Sequence, residues 1–91
     1  MKINEIFYSI ILTKHAQERS KQRCISLEKI IKMLSQLNQD LIDNIKDQKF
    51  ILINKILKTS ILACIENGKV VIITVISNIK KHSYNCVEII F

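Results

Sequence analysis

The 91-residue chain is long enough for one small domain, and its 48% content of hydrophobic residues excludes a disordered chain. A formal net charge of +6 indicates that the partner is a polyanion or an acidic protein. The longest apolar run of the C-terminal half, Val70 to Ile76, is far too short to cross a bilayer, which argues against a membrane partner.

Three widely spaced cysteines, Cys24, Cys64 and Cys86, argue against a disulfide framework and against a zinc site. No stretch near the N-terminus resembles a convincing signal peptide. The sequence therefore predicts a cytoplasmic protein, unless the chain is the C-terminal domain of a longer secreted protein that is delivered into a target cell.

The N-terminal third predicts two helices. The apolar stretch Ile3 to Leu12 fits a short helix followed by a strand, or an edge strand that ends at Leu12. Thr13 is a good N-cap for a helix running to about Arg23, and Ser26 is a good N-cap for the next one. The apolar residues of this second helix follow helical spacing and should bury one stripe against a sheet: Leu27, Ile30, Ile31, Leu34 and Leu37.

The segment from Asn38 to Asp47 is either a last helical segment or a loop with an anchoring turn. After it the pattern changes to short β-branched runs, which predict four strands: Lys49 to Asn54, Ser60 to Glu66, Lys69 to Ser77 and Cys86 to Phe91. Asn67-Gly68 is the preferred pair for a type I′ turn and should join the second and third of these strands.

These elements together predict an α+β fold with two N-terminal helices packed on one face of a roughly four-stranded antiparallel sheet. The whole chain, residues 1–91, then forms a single domain.

The stretch from Thr13 to Leu27 contains both arginines of the chain. On a helix, His15, Arg19 and Arg23 occupy positions i, i+4 and i+8 and share one face. Guanidinium groups bind phosphate bidentately, and an imidazole can move a proton near neutral pH. The alternative is that the arginines are surface cations paired with Glu18 or Glu28, and that His15 packs on the sheet.

Other side chains could support this face. Thr74 is the side-chain hydroxyl inside the apolar run that follows the hairpin, although threonine is also an ordinary strand residue. Six further residues, in two segments of the chain, are predicted to bind RNA: Lys14, Lys21, Lys80, Lys81, His82 and Tyr84. The alternative is that these side chains are exposed to solvent and bind nothing.

The run S/T-K-H-A-x-x-R-x-x-x-R, followed by I-S and an apolar helix, and later V-x-x-x-T-V in a strand, resembles the small RelE/ParE-like toxins. More broadly it is similar to the barnase–EndoU–colicin–RelE group of ribonucleases. The matching residues are Thr13, Lys14, His15, Ala16, Arg19, Arg23, Ile25, Ser26, Thr74 and Val75. Cys24 stands where the family pattern leads us to expect a glycine.

The resemblance implies a metal-independent endoribonuclease without a cofactor, acting as a toxin that an antitoxin or immunity protein neutralises. His15 would be the general base, Arg19 and Arg23 would stabilise the phosphorane, and Thr74 would add a polar group; no separate general acid is identifiable. Two other hypotheses stay open. One is a non-catalytic nucleic-acid-binding module on the same fold, and the other is an interaction protein whose basic face docks an acidic partner.

Overall fold

The structure, a computed structural model, describes residues 8–76 and 86–91 in full and the backbone of residues 2–3 and 6–7. The helices of this part are α1 (Lys14–Gln22), α2 (Leu27–Leu34) and α3 (Gln39–Ile45). The strands are β1 (Lys2–Ile3), β2 (Ile6–Phe7), β3 (Ser9–Leu12), β4 (Lys49–Asn54), β5 (Thr59–Glu66), β6 (Lys69–Ile76) and β7 (Val87–Ile90).

The main sheet has five strands in the order β3-β6-β5-β4-β7, and β1 pairs with β2 in a separate two-stranded antiparallel sheet. The β4–β5 and β5–β6 pairs are antiparallel, whereas β3 lies parallel to β6 and β4 lies parallel to β7. The predicted α+β class is confirmed. The prediction of two helices on a four-stranded antiparallel sheet is wrong in detail. The N-terminal stretch adds a parallel edge strand, the last predicted strand pairs in parallel with β4, and α3 adds a third helix.

Side-chain caps fix where the helices begin. The Thr13 hydroxyl accepts a hydrogen bond from the Ala16 amide at 3.1 Å, and the Ser26 hydroxyl accepts one from the Lys29 amide at 3.2 Å. Both predicted N-caps are therefore confirmed. The Asn38 side chain accepts from the Leu41 amide at 2.8 Å, and this bond starts α3 in the segment for which the sequence left helix and loop open.

Positive φ angles close two of the turns. Asn67 and Gly68 have φ values of 47° and 71°, so the predicted hairpin between β5 and β6 is confirmed. At the end of α1, Cys24 has a φ of 53°. The amide of Ile25 donates to the Ser20 carbonyl at 2.9 Å, which closes a Schellman motif around this cysteine.

The main core lies between the helices and one face of the sheet, where Ile30, Met33 and Leu34 of α2 are buried. Leu27 was predicted for the same stripe but is 51% exposed. It is the first residue of α2, and the buried residues of this helix begin only at Ile30. The opposite face of the sheet has its own buried cluster of Ile51, Ile53 and Leu62. The central strands read as continuous apolar runs because both of their faces are buried.

Candidate functional site

Helix α1 is attached to β6 at its N-terminal end. The Thr13 amide donates to the Ile72 carbonyl at 3.1 Å, and the Thr13 hydroxyl donates to the Ile73 carbonyl at 2.9 Å. Ala16, with 0% exposure, is the buried residue of the helix. A small side chain therefore faces the sheet and permits close packing, while the charged residues of α1 point away from it.

The basic residues of α1, here called the α1 face, are Lys14, His15, Arg19 and Lys21. At 100° per residue, His15 and Arg19 are neighbours, whereas Lys14 and Lys21 lie together on the other side of the exposed surface, next to Glu18. Lys14, His15 and Lys21 are exposed and Arg19 is half-buried. Arg19 donates from Nη1 to the side-chain carbonyl of Gln22 at 3.1 Å. Within the described residues, neither arginine pairs with Glu18 or Glu28, and His15 does not pack on the sheet.

The imidazole of His15 and the guanidinium of Arg19 thus lie on neighbouring turns of one exposed surface. Residues four apart on a helix have their Cβ atoms about 5–6 Å apart. This separation lets both side chains reach one phosphodiester. The structure therefore brings together two of the four predicted catalytic residues on an open surface.

Arg23 differs from Arg19 in its surroundings. It is half-buried at the C-cap of α1, and its Nη1 donates to the Val75 carbonyl of β6. One of its five N–H donors is therefore occupied in joining the end of the helix to the sheet. Arg23 therefore has a structural bond to the sheet, and four N–H donors of its side chain are left for another partner.

Thr74 lies elsewhere. A bulge shifts the register of β5 and β6, so that Leu62 pairs with Thr74 and Ala63 pairs with Ile72. The two side chains of a pair share a face, and Leu62 belongs to the cluster on the side of the sheet that faces away from the helices. Thr74, only 7% exposed, is therefore not brought to the α1 face.

Four predicted RNA-binding residues lie outside the described residues: Lys80, Lys81, His82 and Tyr84. Their roles stay predictions. Lys14 and Lys21 are described, and both lie exposed on α1.

Cys64 and Cys86 are poorly suited to act as nucleophiles. Burial, followed by the charge of Glu66, raises the pKa of the Cys64 thiol, and burial together with Glu88 raises the pKa of the Cys86 thiol. Both thiols therefore stay protonated at neutral pH, where only a thiolate is a strong nucleophile. Among the described residues, no cluster of three or more His, Cys, Asp or Glu side chains could hold a metal ion.

A cavity of about 220 Å³ lies between α3 and the Asn67-Gly68 turn, with Tyr8 as one of its walls. No motif in the sequence predicted it, because its lining comes from three separate segments. The one signal in the sequence was the helical spacing of Gln39, Asp43 and Lys46, which puts three polar residues on the same side of the segment that forms α3 and its C-cap.

No protein-family model matches the chain, and no curated protein or solved structure matches it. The resemblance to RelE-like proteins therefore depends on the residues of this chain alone. No helix in the described part of the chain is both long enough and apolar enough to span a lipid bilayer.

Proposed function

We propose that the protein is a RelE-like, metal-independent endoribonuclease that acts as a toxin. The observation that supports this best is the exposed His15 one helical turn from Arg19, whose guanidinium forms an ion pair with none of the described carboxylates. An imidazole beside a guanidinium on an open basic surface supplies a proton acceptor and a phosphate ligand at the same place.

In this proposal, His15 accepts the proton of a ribose 2′-hydroxyl. The 2′-oxygen then forms a bond to the adjacent phosphorus, and the bond between phosphorus and the 5′-oxygen breaks. The products are a 2′,3′-cyclic phosphate and a 5′-hydroxyl, whose proton comes from solvent at this open face. Arg19 and the free donors of Arg23 stabilise the phosphorane, while Lys14 and Lys21 hold neighbouring phosphates.

The proposed regulatory partner is an acidic antitoxin or immunity protein. The α1 face presents Lys14, Arg19 and Lys21 with one acidic neighbour, Glu18, and the chain as a whole has a net charge of +6. An acidic protein covering this face would have complementary charge and would block access of RNA to His15.

A second candidate is a non-catalytic nucleic-acid-binding module on the same fold. It is favoured by the bond between Arg23 and the Val75 carbonyl and by the position of Thr74 on the far side of the sheet. Both observations reduce the number of groups that can act at one scissile phosphate. Phosphate binding through Lys14, Arg19 and Lys21 needs neither residue.

The test is to incubate the purified protein with single-stranded RNA in the presence of EDTA, and to compare wild type with His15→Ala, Arg19→Ala and Lys55→Ala. Lys55 lies exposed in the β4–β5 turn and serves as the control for loss of one positive charge. The ribonuclease proposal expects products with 5′-hydroxyl ends and a loss of roughly a hundredfold or more in rate for His15→Ala.

Three results decide between the candidates. Cleavage that survives His15→Ala contradicts the mechanism. RNA binding that needs Arg19 but is accompanied by no cleavage identifies the binding module. A protein that neither cleaves nor binds RNA contradicts both candidates. The remaining hypothesis is then an interaction protein that docks an acidic partner.

A further inference from the structure

The cavity between α3 and the Asn67-Gly68 turn is a candidate binding site at the end of the sheet where this hairpin lies. It is partly open to solvent, and its apolar lining comes from Ile42 and Ile65, which are almost fully buried, and from the aromatic Tyr8. Its volume is about 220 Å³. An apolar cavity of about 150 Å³ in another protein accepts benzene, so this cavity has room for a flat molecule with two fused rings.

The rim of the cavity is polar and carries both signs of charge. Gln39 donates from Nε2 to Oδ1 of Asp43 at 2.8 Å, which leaves the other carboxylate oxygen of Asp43 as a free acceptor. Lys46 follows Asp43 by three residues and lines the same cavity. An acceptor and a cationic donor therefore line the same cavity as the apolar Ile42 and Ile65.

We propose that this cavity binds a guanine base of single-stranded RNA. Guanine presents the N1–H and 2-amino donors beside the O6 acceptor on one edge, which complements Asp43 next to Lys46. Adenine places the acceptor N1 where guanine has a donor, and it would therefore oppose the carboxylate of Asp43. This inference rests on the proposed function, because it adds a preference for guanine to a protein that is proposed to cleave or bind RNA.

Strand β3 connects the cavity to the α1 face. The amide of Ser9, next to Tyr8, donates to the Gly68 carbonyl at the cavity, and the amide of Thr13 donates to the Ile72 carbonyl where α1 begins. The four steps along the chain from Ser9 to Thr13 correspond to about 13 Å of extended chain. Arg19 lies six residues beyond Thr13, up to about 9 Å further along α1. Several nucleotides of single-stranded RNA can bridge the combined distance, with the guanine in the cavity and a phosphate at Arg19.

The test is a nuclear magnetic resonance titration of the isotope-labelled protein with guanosine, inosine and adenosine. Guanosine has no phosphate, so the titration reports on the cavity whether or not the α1 face cleaves RNA. We expect saturable shifts at the amides of Gln39, Asp43 and Asn67, with guanosine bound about tenfold more tightly than adenosine. Inosine, which lacks the 2-amino group, should bind with intermediate affinity.

The matched pair of variants is Asp43→Asn and Asp40→Asn. Both remove one exposed carboxylate from α3, but only Asp43 lines the cavity. Asp43→Asn should abolish the preference for guanosine, and Asp40→Asn should preserve it. Equal affinity for guanosine and adenosine, equal effects of the two variants, or the absence of saturable shifts would each overturn the proposal, even if the wild-type protein cleaves RNA.

Discussion

Two arginines four residues apart on α1 have different surroundings. Arg19 bonds to an exposed glutamine, whereas Arg23 is half-buried and donates to the backbone of β6. Removing Arg23 leaves the Val75 carbonyl without this charged donor, while removing Arg19 leaves its neighbours solvated. We expect Arg23→Ala to lower the free energy of unfolding by about 1–3 kcal/mol and Arg19→Ala to change it by less than about 0.5 kcal/mol.

Urea denaturation of the two variants measures this difference, and RNA affinity measured on the same preparations should show the opposite order. Arg19→Ala should weaken binding more than Arg23→Ala, because Arg19 has no bond to the sheet to maintain. Equal losses of stability in both variants would mean that the bond to Val75 contributes nothing measurable to the fold.

For single residues, the sequence predicts the helix face on which a side chain lies better than it predicts the groups that the side chain contacts. Helical spacing alone places His15, Arg19 and Arg23 on one face, and the structure agrees in placing all three on α1 or at its C-cap. The acceptor for Arg23 lies 52 residues away in the chain, and nothing local to α1 indicates it. Strict alternation along β6 would have placed Thr74 on the same side as Ile72. The bulge opposite Leu62 reverses this orientation.

At the end of α1, Cys24 has a side chain at a backbone position that favours glycine. Cys24 adopts a φ of 53° in the Schellman motif, a conformation that costs a residue with a side chain about 1–2 kcal/mol relative to glycine. Glycine gains more conformational freedom in the unfolded chain, which offsets about 0.4–1 kcal/mol of this difference. We therefore expect Cys24→Gly to raise the free energy of unfolding by about 0.5–1 kcal/mol, as measured by urea denaturation under reducing conditions.

The control for this change is Cys24→Ala, which removes the thiol but keeps a side chain on the left-handed backbone. It should leave the stability close to that of the wild type. If Cys24→Ala stabilises the protein as much as Cys24→Gly does, the thiol and not the backbone conformation is responsible.

Element boundaries that depend on local chemistry were predictable. Thr13 and Ser26 cap their helices through hydrogen bonds to amides three residues along the chain, and the Asn67-Gly68 turn needs only its own two residues. The position of β3 was not predictable in the same way. Its partner β6 is some sixty residues later, and the parallel pairing of Ser9 with Lys69 depends on the whole sheet being assembled.

At the scale of the whole molecule, affinity for RNA can depend on contacts at one surface or on the overall charge of +6. The affinity of a protein for single-stranded RNA falls with salt in proportion to the number of phosphates that it neutralises, with a slope of about −0.7 for each. If Lys14, Arg19 and Lys21 are the contacts, a plot of log affinity against log salt concentration should have a slope of about −2.

Two variants with the same net charge separate these possibilities. Lys21→Ala removes a cation from the α1 face and should reduce the slope to about −1.4, whereas Lys55→Ala removes one from the β4–β5 turn and should leave the slope unchanged. Fluorescence anisotropy with a labelled oligonucleotide at several salt concentrations gives both slopes. Equal reductions would show that RNA responds to the total charge, because a contact on one helix cannot be weakened equally by two cations of which only one lies on that helix.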